Sequence, residues 1–490
     1  IYTGEDTLSL HDALPIFKQL ADHARHSAQA LQQLTQALNH GRRELRYLAL
    51  SLLEQLSAAD DPKASLQALQ STHTDLQRAA LIRLYQRKLL DNMEVQRSVV
   101  LLQDHNDALV RQTALWVAIA ARPALAESLS QKDESWARPL QDLKNFQLLD
   151  TAAAAPGVLA SIAAMFSSTP RLTPADLTPL LQGMTSRHAD ICFHAAYGLA
   201  VLHDQRAFGV LLLLAQEPNE NIRAGVCRAL ANLGQSEGKT QLEVLLNDEH
   251  ASVRDAAFSS YGVLEKDSLR WADCGLRSKH QDIHSRALKV LLDALASLPA
   301  DRQDSARQNL LAALNDPFEA IRQETVKACL NRQLAGDRAQ TLQLLLGSQY
   351  QNVHQEVLNE WLAQAKNSAA LSLFGDLVND NFAAIRSQAI NFALQEKKLF
   401  PVVEVLQRAI NSRFLDSRQA ALQHMAAKPA PEFQPLLLAL LTDDDRELRL
   451  ASLKLLQASF DPAVLTQARK LGDELEARKA DLAASTQAAI

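Results

Sequence analysis

The feature that most constrains this chain is a phrase that returns about every thirty residues. An acidic or small polar residue leads into a short turn. An aliphatic residue and Arg follow, with Ala three positions on and another apolar residue three further. Four copies are clear: NDEHASVRDAAFSSYGVL around Arg254, NDPFEAIRQETVKACL around Arg322, NDNFAAIRSQAINFAL around Arg386 and DDDRELRLASLKLL around Arg449. Weaker copies centre on Arg46, Gln77, Arg111, Cys192, Arg223, His284, His354 and Arg418. The centres 192, 223 and 254 stand 31 apart, 254 to 284 is 30, and 322, 354, 386 and 418 stand 32 apart, with 31 more to 449. A period of this length accommodates one helical hairpin. A hairpin with a single apolar face cannot bury it alone, so the units have to stack.

One unit, DSARQNLLAALNDPFEAIRQETVKACLN, shows how each hairpin is written. Leu310, Leu311 and Leu314 give a first helix one apolar face, and Asn315 and Asp316 break it. Asp316 is placed to cap a second helix, with Pro317 at its first position and Glu319 completing a capping box. Ile321, Thr325, Ala328 and Cys329 then recur at i, i+4, i+7 and i+8. Composition agrees: only 15 Gly and 16 Pro in 490 residues, in a chain rich in Leu, Ala, Gln, Arg and Glu. The expected fold class is all-α, an α-solenoid of stacked antiparallel helical hairpins.

The phrase D-x-x-x-x-[IV]-R-x-x-A resembles the bacterial HEAT repeats, including the variant known as HEAT_2 or phycobilisome-lyase-type repeats, and the resemblance covers about twelve units across residues 17–461. It implies a HEAT/armadillo-like superhelix and no particular activity, since such proteins include scaffolds, adaptors, a few bilin lyases and a few DNA-repair enzymes. A row of recurrent Arg residues invites a reading as an anion-binding ladder. Asp248, Asp316, Asp380 and Asp443 stand six before Arg254, Arg322, Arg386 and Arg449, however, and Ser412 stands six before Arg418. In HEAT-like repeats such residues pair between neighbouring hairpins, so the resemblance gives them a structural role.

The period is broken in three places. Residues 1–16, IYTGEDTLSLHDALPI, lack the pattern. Thr7 to Ile16 correspond in order to the translation of a common sequencing adapter (ACT-CTT-TCC-CTA-CAC-GAC-GCT-CTT-CCG-ATC). The stretch is expected to be an assembly artefact, with the natural protein continuing upstream of Phe17 as part of a larger bacterial protein. Regular repeats are expected over 17–120 and again over 188–461. Between them, 121–187 is an irregular helical segment carrying Pro123, Pro139, Pro156, Pro170, Pro174 and Pro179. It reads either as degenerate repeats with long loops or as an inserted binding element bearing Trp136 and Arg138. After Pro462, residues 462–490 read as a charged capping helix and tail.

Chemistry is not evident. The 50 basic and 56 acidic residues become 50 against 53 once Glu5, Asp6 and Asp12 are set aside, a balance that argues against a dedicated nucleic-acid surface. RRELRYLAL, with Arg42, Arg43 and Arg46, is the one local basic run. Cys192, Cys227, Cys274 and Cys329 lie far apart without CxxC spacing, as expected of thiols in a reducing, cytoplasmic setting. The longest apolar runs, such as FGVLLLLA from Phe208, fall well short of the ~18 residues of a membrane span. His188 and Cys192 share a helix face that His194 leaves. His280 and His284 are spaced i, i+4 but lack an acidic companion, so no metal site is expected. No GxGxxG, Walker A, GxSxG or HExxH pattern occurs.

No catalytic, cofactor or metal residues are therefore assigned. The expected function is a non-catalytic scaffold that holds another protein or a peptide in the concave groove of the solenoid. A nucleic-acid-binding HEAT protein, a bilin-lyase-like enzyme, and the substrate-recruiting arm of a missing catalytic domain are the alternatives.

Overall fold

A computed structural model describes residues 10–148, 172–295, 303–332, 338–364, 370–396 and 400–459, together with 466, 469, 470 and 473. Among the described residues all regular structure is helical. The chain begins with α1 (Leu10–Ala24), α2 (Ala28–Gln36), α3 (Arg43–Leu56), α4 (Lys63–Leu69), α5 (Thr74–Gln86), α6 (Met93–Leu102), α7 (Ala108–Ala120), α8 (Pro123–Lys132) and α9 (Glu134–Asn145). It continues with α10 (Thr178–Gly183), α11 (Ala189–Val201), α12 (Ala207–Leu214), α13 (Glu220–Leu233), α14 (Gly238–Leu245), α15 (Ala251–Leu264), α16 (Ser268–Leu276), α17 (Gln281–Leu295) and α18 (Gln303–Leu314). The last are α19 (Glu319–Arg332), α20 (Arg338–Leu345), α21 (Gln351–Gln364), α22 (Ala370–Leu377), α23 (Ala383–Gln395), α24 (Val402–Ile410), α25 (Leu415–Ala427), α26 (Gln434–Leu440) and α27 (Arg446–Ser459).

All twelve centres of the sequence phrase fall in second helices of hairpins: α3, α5, α7, α11, α13, α15, α17, α19, α21, α23, α25 and α27. This is an α-solenoid of antiparallel hairpins, divided into two compact units. One holds residues 1–267 and 278–283, and the other holds 268–277 and 284–490.

Within the first unit, successive second helices lie side by side, α3 on α5, α5 on α7, α11 on α13 and α13 on α15. Their inward positions are small or aliphatic, with Ala79, Ala114, Ala195 and Ala229 fully buried. Small side chains let neighbouring helices approach, while leucines such as Leu76, Leu115 and Leu230 fill the layer between first and second helices. Each contributes about 1.5–3 kcal/mol through burial. The second unit repeats this stacking from α19 to α27. There Trp361 meets Phe374, Phe392 and Phe400 at centroid distances of 6.0, 5.4 and 5.4 Å, joining three hairpins through one aromatic cluster.

Helix ends are closed locally. Asn219 caps α13 by accepting the Asn221 N–H, and Gly234 ends the helix at φ +71°, a conformation that glycine adopts without a Cβ penalty. The capping expected of Asp316 takes a different form. α19 starts at Glu319, so Pro317 precedes the helix, and Asp316 Oδ1 accepts the Phe318 N–H at 2.8 Å. The carboxylate is drawn instead to His284 of the preceding hairpin, and it closes the turn two residues ahead of the helix. The helix α1 runs without a break through residues 16 and 17. The segment after Pro462 lies outside the described residues except for the four isolated positions.

Candidate functional site

The recurrent base sits at the seam between hairpins and reaches both ways. In its own repeat, one guanidinium nitrogen donates to the carbonyls six and five residues earlier. Arg254 Nη1 reaches the Asp248 and Glu249 oxygens at 2.8 and 2.9 Å, and Arg322 Nη1 reaches those of Asp316 and Pro317 at 2.6 and 3.0 Å. Arg386 and Arg449 close the same turn on the Asp380 and Asp443 oxygens, each at 2.6 Å. The rest of the guanidinium faces the next hairpin, where it finds an acid or an amide and an aromatic ring. Arg322 lies 3.8 Å above Tyr350 and Arg386 lies 3.9 Å above Phe414. Arg254, Arg322 and Arg386 are 6–8% exposed and bond both their own turn and the next hairpin, so these bases bind the repeats to one another.

The acid comes from one of two positions. Where Asp stands six before the base of the following hairpin, it takes the preceding base itself: Arg223 with Asp248 at 2.7 Å, His284 with Asp316 and His354 with Asp380 at 2.5 Å, and Arg418 with Asp443 at 2.8 Å. Where that position is Ser, the partner stands only two before the base: Arg46 with Asp75, Arg111 with Asp190, Arg254 with Asp282 and Arg386 with Asp416 at 2.6, 2.8, 2.7 and 2.5 Å, and Arg322 with Asn352 at 3.4 Å. From Arg223 to Arg449 the two forms alternate without exception, so the structural unit is a pair of hairpins. Within that run the base is His only where the partner Asp stands six before the following base, at His284 and His354.

The two forms differ in burial. The Asp316 and Asp380 side chains are 2% and 1% exposed, whereas those of Asp282 and Asp416 are 42% exposed. Burial pushes the Asp248 carboxyl up, but the Arg223 guanidinium and the His250 N–H outweigh it and hold the group below the usual carboxylate range. For His354, burial pulls the ring down, and the Asp380 carboxylate and the Ser348 carbonyl more than reverse this, so its pKa is raised.

The described helices α8 and α9 are not a layer of the stack. Arg111 pairs with Asp190 across 79 residues, and Ser186 donates to Asp104 Oδ1 at 2.7 Å. The hairpin α10–α11 thus follows α6–α7 directly. The helices α8 and α9 fold back over the outward face of the second helices, with α9 against α5 and α7, and α8 against α7 and α11. Trp136, one of the two residues that the inserted-element reading would carry, is 1% exposed and belongs to the core. Its ring meets Trp116 at 4.8 Å and lies against Gly198, where a Cβ would stand 3.0 Å from it. Asp133, between α8 and α9, accepts the Tyr197 hydroxyl at 2.5 Å, and Gln86 Nε2 donates to the Leu143 and Phe146 oxygens at 3.1 and 3.0 Å. Arg138 is on the exposed side of α9.

The imagined metal ligands do not converge. His188 caps α11 and contacts the Asp104 oxygen, Cys192 donates to the Ser186 oxygen at 2.8 Å, and His194 turns away to Trp116. Among the described residues no group of three or more His, Cys, Asp or Glu is placed to hold a metal. His280 opens the turn before α17, and His284 is spent on Asp316. Of the basic run, Arg46 is a seam base and Arg43 lies 5.0 Å over Tyr47. An apolar groove of about 560 Å³ lies between α6, the end of α7 and α10, and is lined by Met93, Val100 and Leu101. No described helix is long and apolar enough to cross a membrane.

Stacked hairpins closed by alternating base–acid seams define the helical-repeat scaffold class. Residues 177–262 match the family model for HEAT repeats, and the same seams recur on both sides of that segment. It is similar over 94% of its length to importin beta, of which it covers 64%, at 13% identity and a TM-score of 0.31. It is also similar over 90% of its length to 98% of an engineered protein, at 15% identity and a TM-score of 0.24. The fold assignment rests on the repeat geometry rather than on these likenesses. A stretch of 33 residues, 7% of the chain, is 82% identical to the tRNA N6-adenosine threonylcarbamoyltransferase of Paracidovorax citrulli and 79% identical to that of an Acidovorax species. The chain spans about a tenth of the length of these curated relatives.

Proposed function

We propose that this chain is a non-catalytic scaffold that holds a protein or peptide partner along the outward face of its second helices. The observation that carries this reading is α9. The chain lays a helix of its own across that face at α7, burying Trp136 on Trp116, so the face accepts polypeptide. The seam acids are taken up in stacking, which supports a partner on the outward face instead.

The test is affinity capture from extracts of the organism that encodes the chain. The intact chain is compared with a second-helix variant (Gln355→Glu, Asn391→Glu, Gln423→Glu) and a first-helix variant (Leu101→Glu) in the apolar groove. A partner retained by the intact chain and by Leu101→Glu, but lost by the triple variant, is the expected result. A partner lost only by Leu101→Glu would move the docking site to the groove between α6 and α10.

A further inference from the structure

The cleft between α6 and α10 opens where α10 falls short. By the repeat register that aligns Arg111 with Cys192, residues 93–96 of α6 correspond to 174–177, which form turns instead of helix. Among the described residues, α6 therefore lacks a helix beside its first turn, and Met93, Val100 and Leu101 stay exposed along a cleft of about 560 Å³. A second cleft of about 440 Å³ reaches from the end of α5 to Lys144 on α9. The two share Leu90, Asp91 and Ala121 as walls, so they adjoin.

The charge around them is one-sided. Arg97 and Arg122 line the first cleft and Lys88 and Lys144 the second, against one lining carboxylate among the described residues, Asp91. None of these four cationic side chains makes a hydrogen bond or ion pair among the described residues. Asp176 lies within electrostatic reach of Arg122, but its carboxylate accepts the Thr173 N–H and hydroxyl at 2.9 and 2.6 Å. Neighbouring arginines are spent, Arg83 and Arg87 on Glu54 at 3.0 and 3.5 Å. Unpaired guanidinium groups beside apolar walls suit a molecule that carries both an anion and apolar surface. An inorganic anion would leave Met93, Val100 and Leu101 wet, and a neutral hydrocarbon would take water from the guanidinium groups and return no bond. Apolar walls with a few polar groups, in a cleft of this size, are the usual form of a small-ligand site.

We infer that this double cleft binds a small amphiphilic anion, its apolar body against Met93, Val100 and Leu101 and its carboxylate or phosphate on Arg97 and Arg122. A guanidinium fork matches either group with two parallel bonds, and Lys88 and Lys144 add to the attracting field. A ligand here is independent of the scaffold reading, because the first cleft opens on first helices and needs no partner protein.

The test titrates the full chain calorimetrically with decanoate, with decyl phosphate and, as a neutral control, with decanol, each below the concentration at which it aggregates. The expected outcome is saturable binding of at least one anion, weakened at least about tenfold by Arg97→Gln and by Arg122→Gln, with decanol weaker by a similar factor. Leu101→Glu, at a position 75% exposed and so outside the core, should abolish it. The anion that binds more tightly identifies the head group. No saturable binding of either anion, equal binding of decanol, or binding that Arg97→Gln and Leu101→Glu both leave unchanged overturns the inference. These two variants sit at exposed positions of α6, so the result stands even if Arg122→Gln folds poorly.

Discussion

Arg111 and Asp190 lie 79 residues apart and make at 2.8 Å the same form of seam contact that Arg254 makes at 2.7 Å with Asp282, 28 residues away. The stack therefore passes over the insertion without a missing layer. Its helices α8 and α9 are held through Trp136, Leu140 and Leu143, all buried, and through the Tyr197–Asp133 and Gln86 hydrogen bonds.

Trp136→Ala should detach α9 from α7 and α11. Removing a fully buried Trp costs about 3–5 kcal/mol locally. Trp116 then gains exposure, so tryptophan emission should shift to longer wavelength while the helical circular dichroism of the stack is retained. Collapse of the whole helical signal would show instead that the seam at Arg111 depends on the insertion.

The two seam forms predict unequal penalties. Asp316→Ala removes a carboxylate that bonds His284 in a site where both side chains are at most 2% exposed, and losing one partner of a buried hydrogen bond costs about 1–3 kcal/mol. Asp416→Ala removes a partner that is 42% exposed, and the screened pair is worth at most about 1 kcal/mol. Chemical denaturation of the two variants should rank them in that order.

His354 carries a pH dependence with a definite sign. Its pKa is raised in the fold, so the stability it contributes is complete below the unfolded value, near 6.5, and is lost as pH rises through the folded value. His354→Arg supplies the base that Arg418 and Arg223 provide at equivalent seams and does not titrate in this range. Melting temperature followed from pH 6 to 9 should decline less in the variant, and parallel declines would remove His354 as the source.

Burial pushes the Cys227 and Cys329 thiols up to about 12, and both are fully buried. Since the thiolate is the nucleophile, these two should label only when their hairpins open, after the half-buried Cys192 and Cys274. One lies in each unit. Thiol labelling resolved by mass spectrometry should therefore give two opening rates, and rapid labelling of either in the native protein would contradict its burial.

At Gly225 an added Cβ would stand 2.2 Å from Phe193 Cζ. Gly225→Ala should cost about 1–3 kcal/mol through overpacking, measured by thermal melting. A combined Gly225→Ala, Phe193→Leu variant should recover part of that loss.

The sequence by itself determined the helices, their hairpin order and the bases at the seams, because a period near thirty with apolar spacing of i, i+4, i+7 leaves a chain no other way to bury its faces. The alternation of Asp with Ser six before the base was also written there, in Asp248, Ser278, Asp316, Ser348, Asp380, Ser412 and Asp443. Its meaning was not, since a partner two residues before the base acquires a function only when the neighbouring hairpin brings a guanidinium to it. The same holds for the insertion. Trp136 lies on an irregular, proline-rich stretch that reads either as degenerate repeats or as an insertion, and only folding back over α7 makes it core. Local spacing fixes which residues share a helix face. What covers that face is decided by contacts between residues far apart in the chain, which no local pattern encodes.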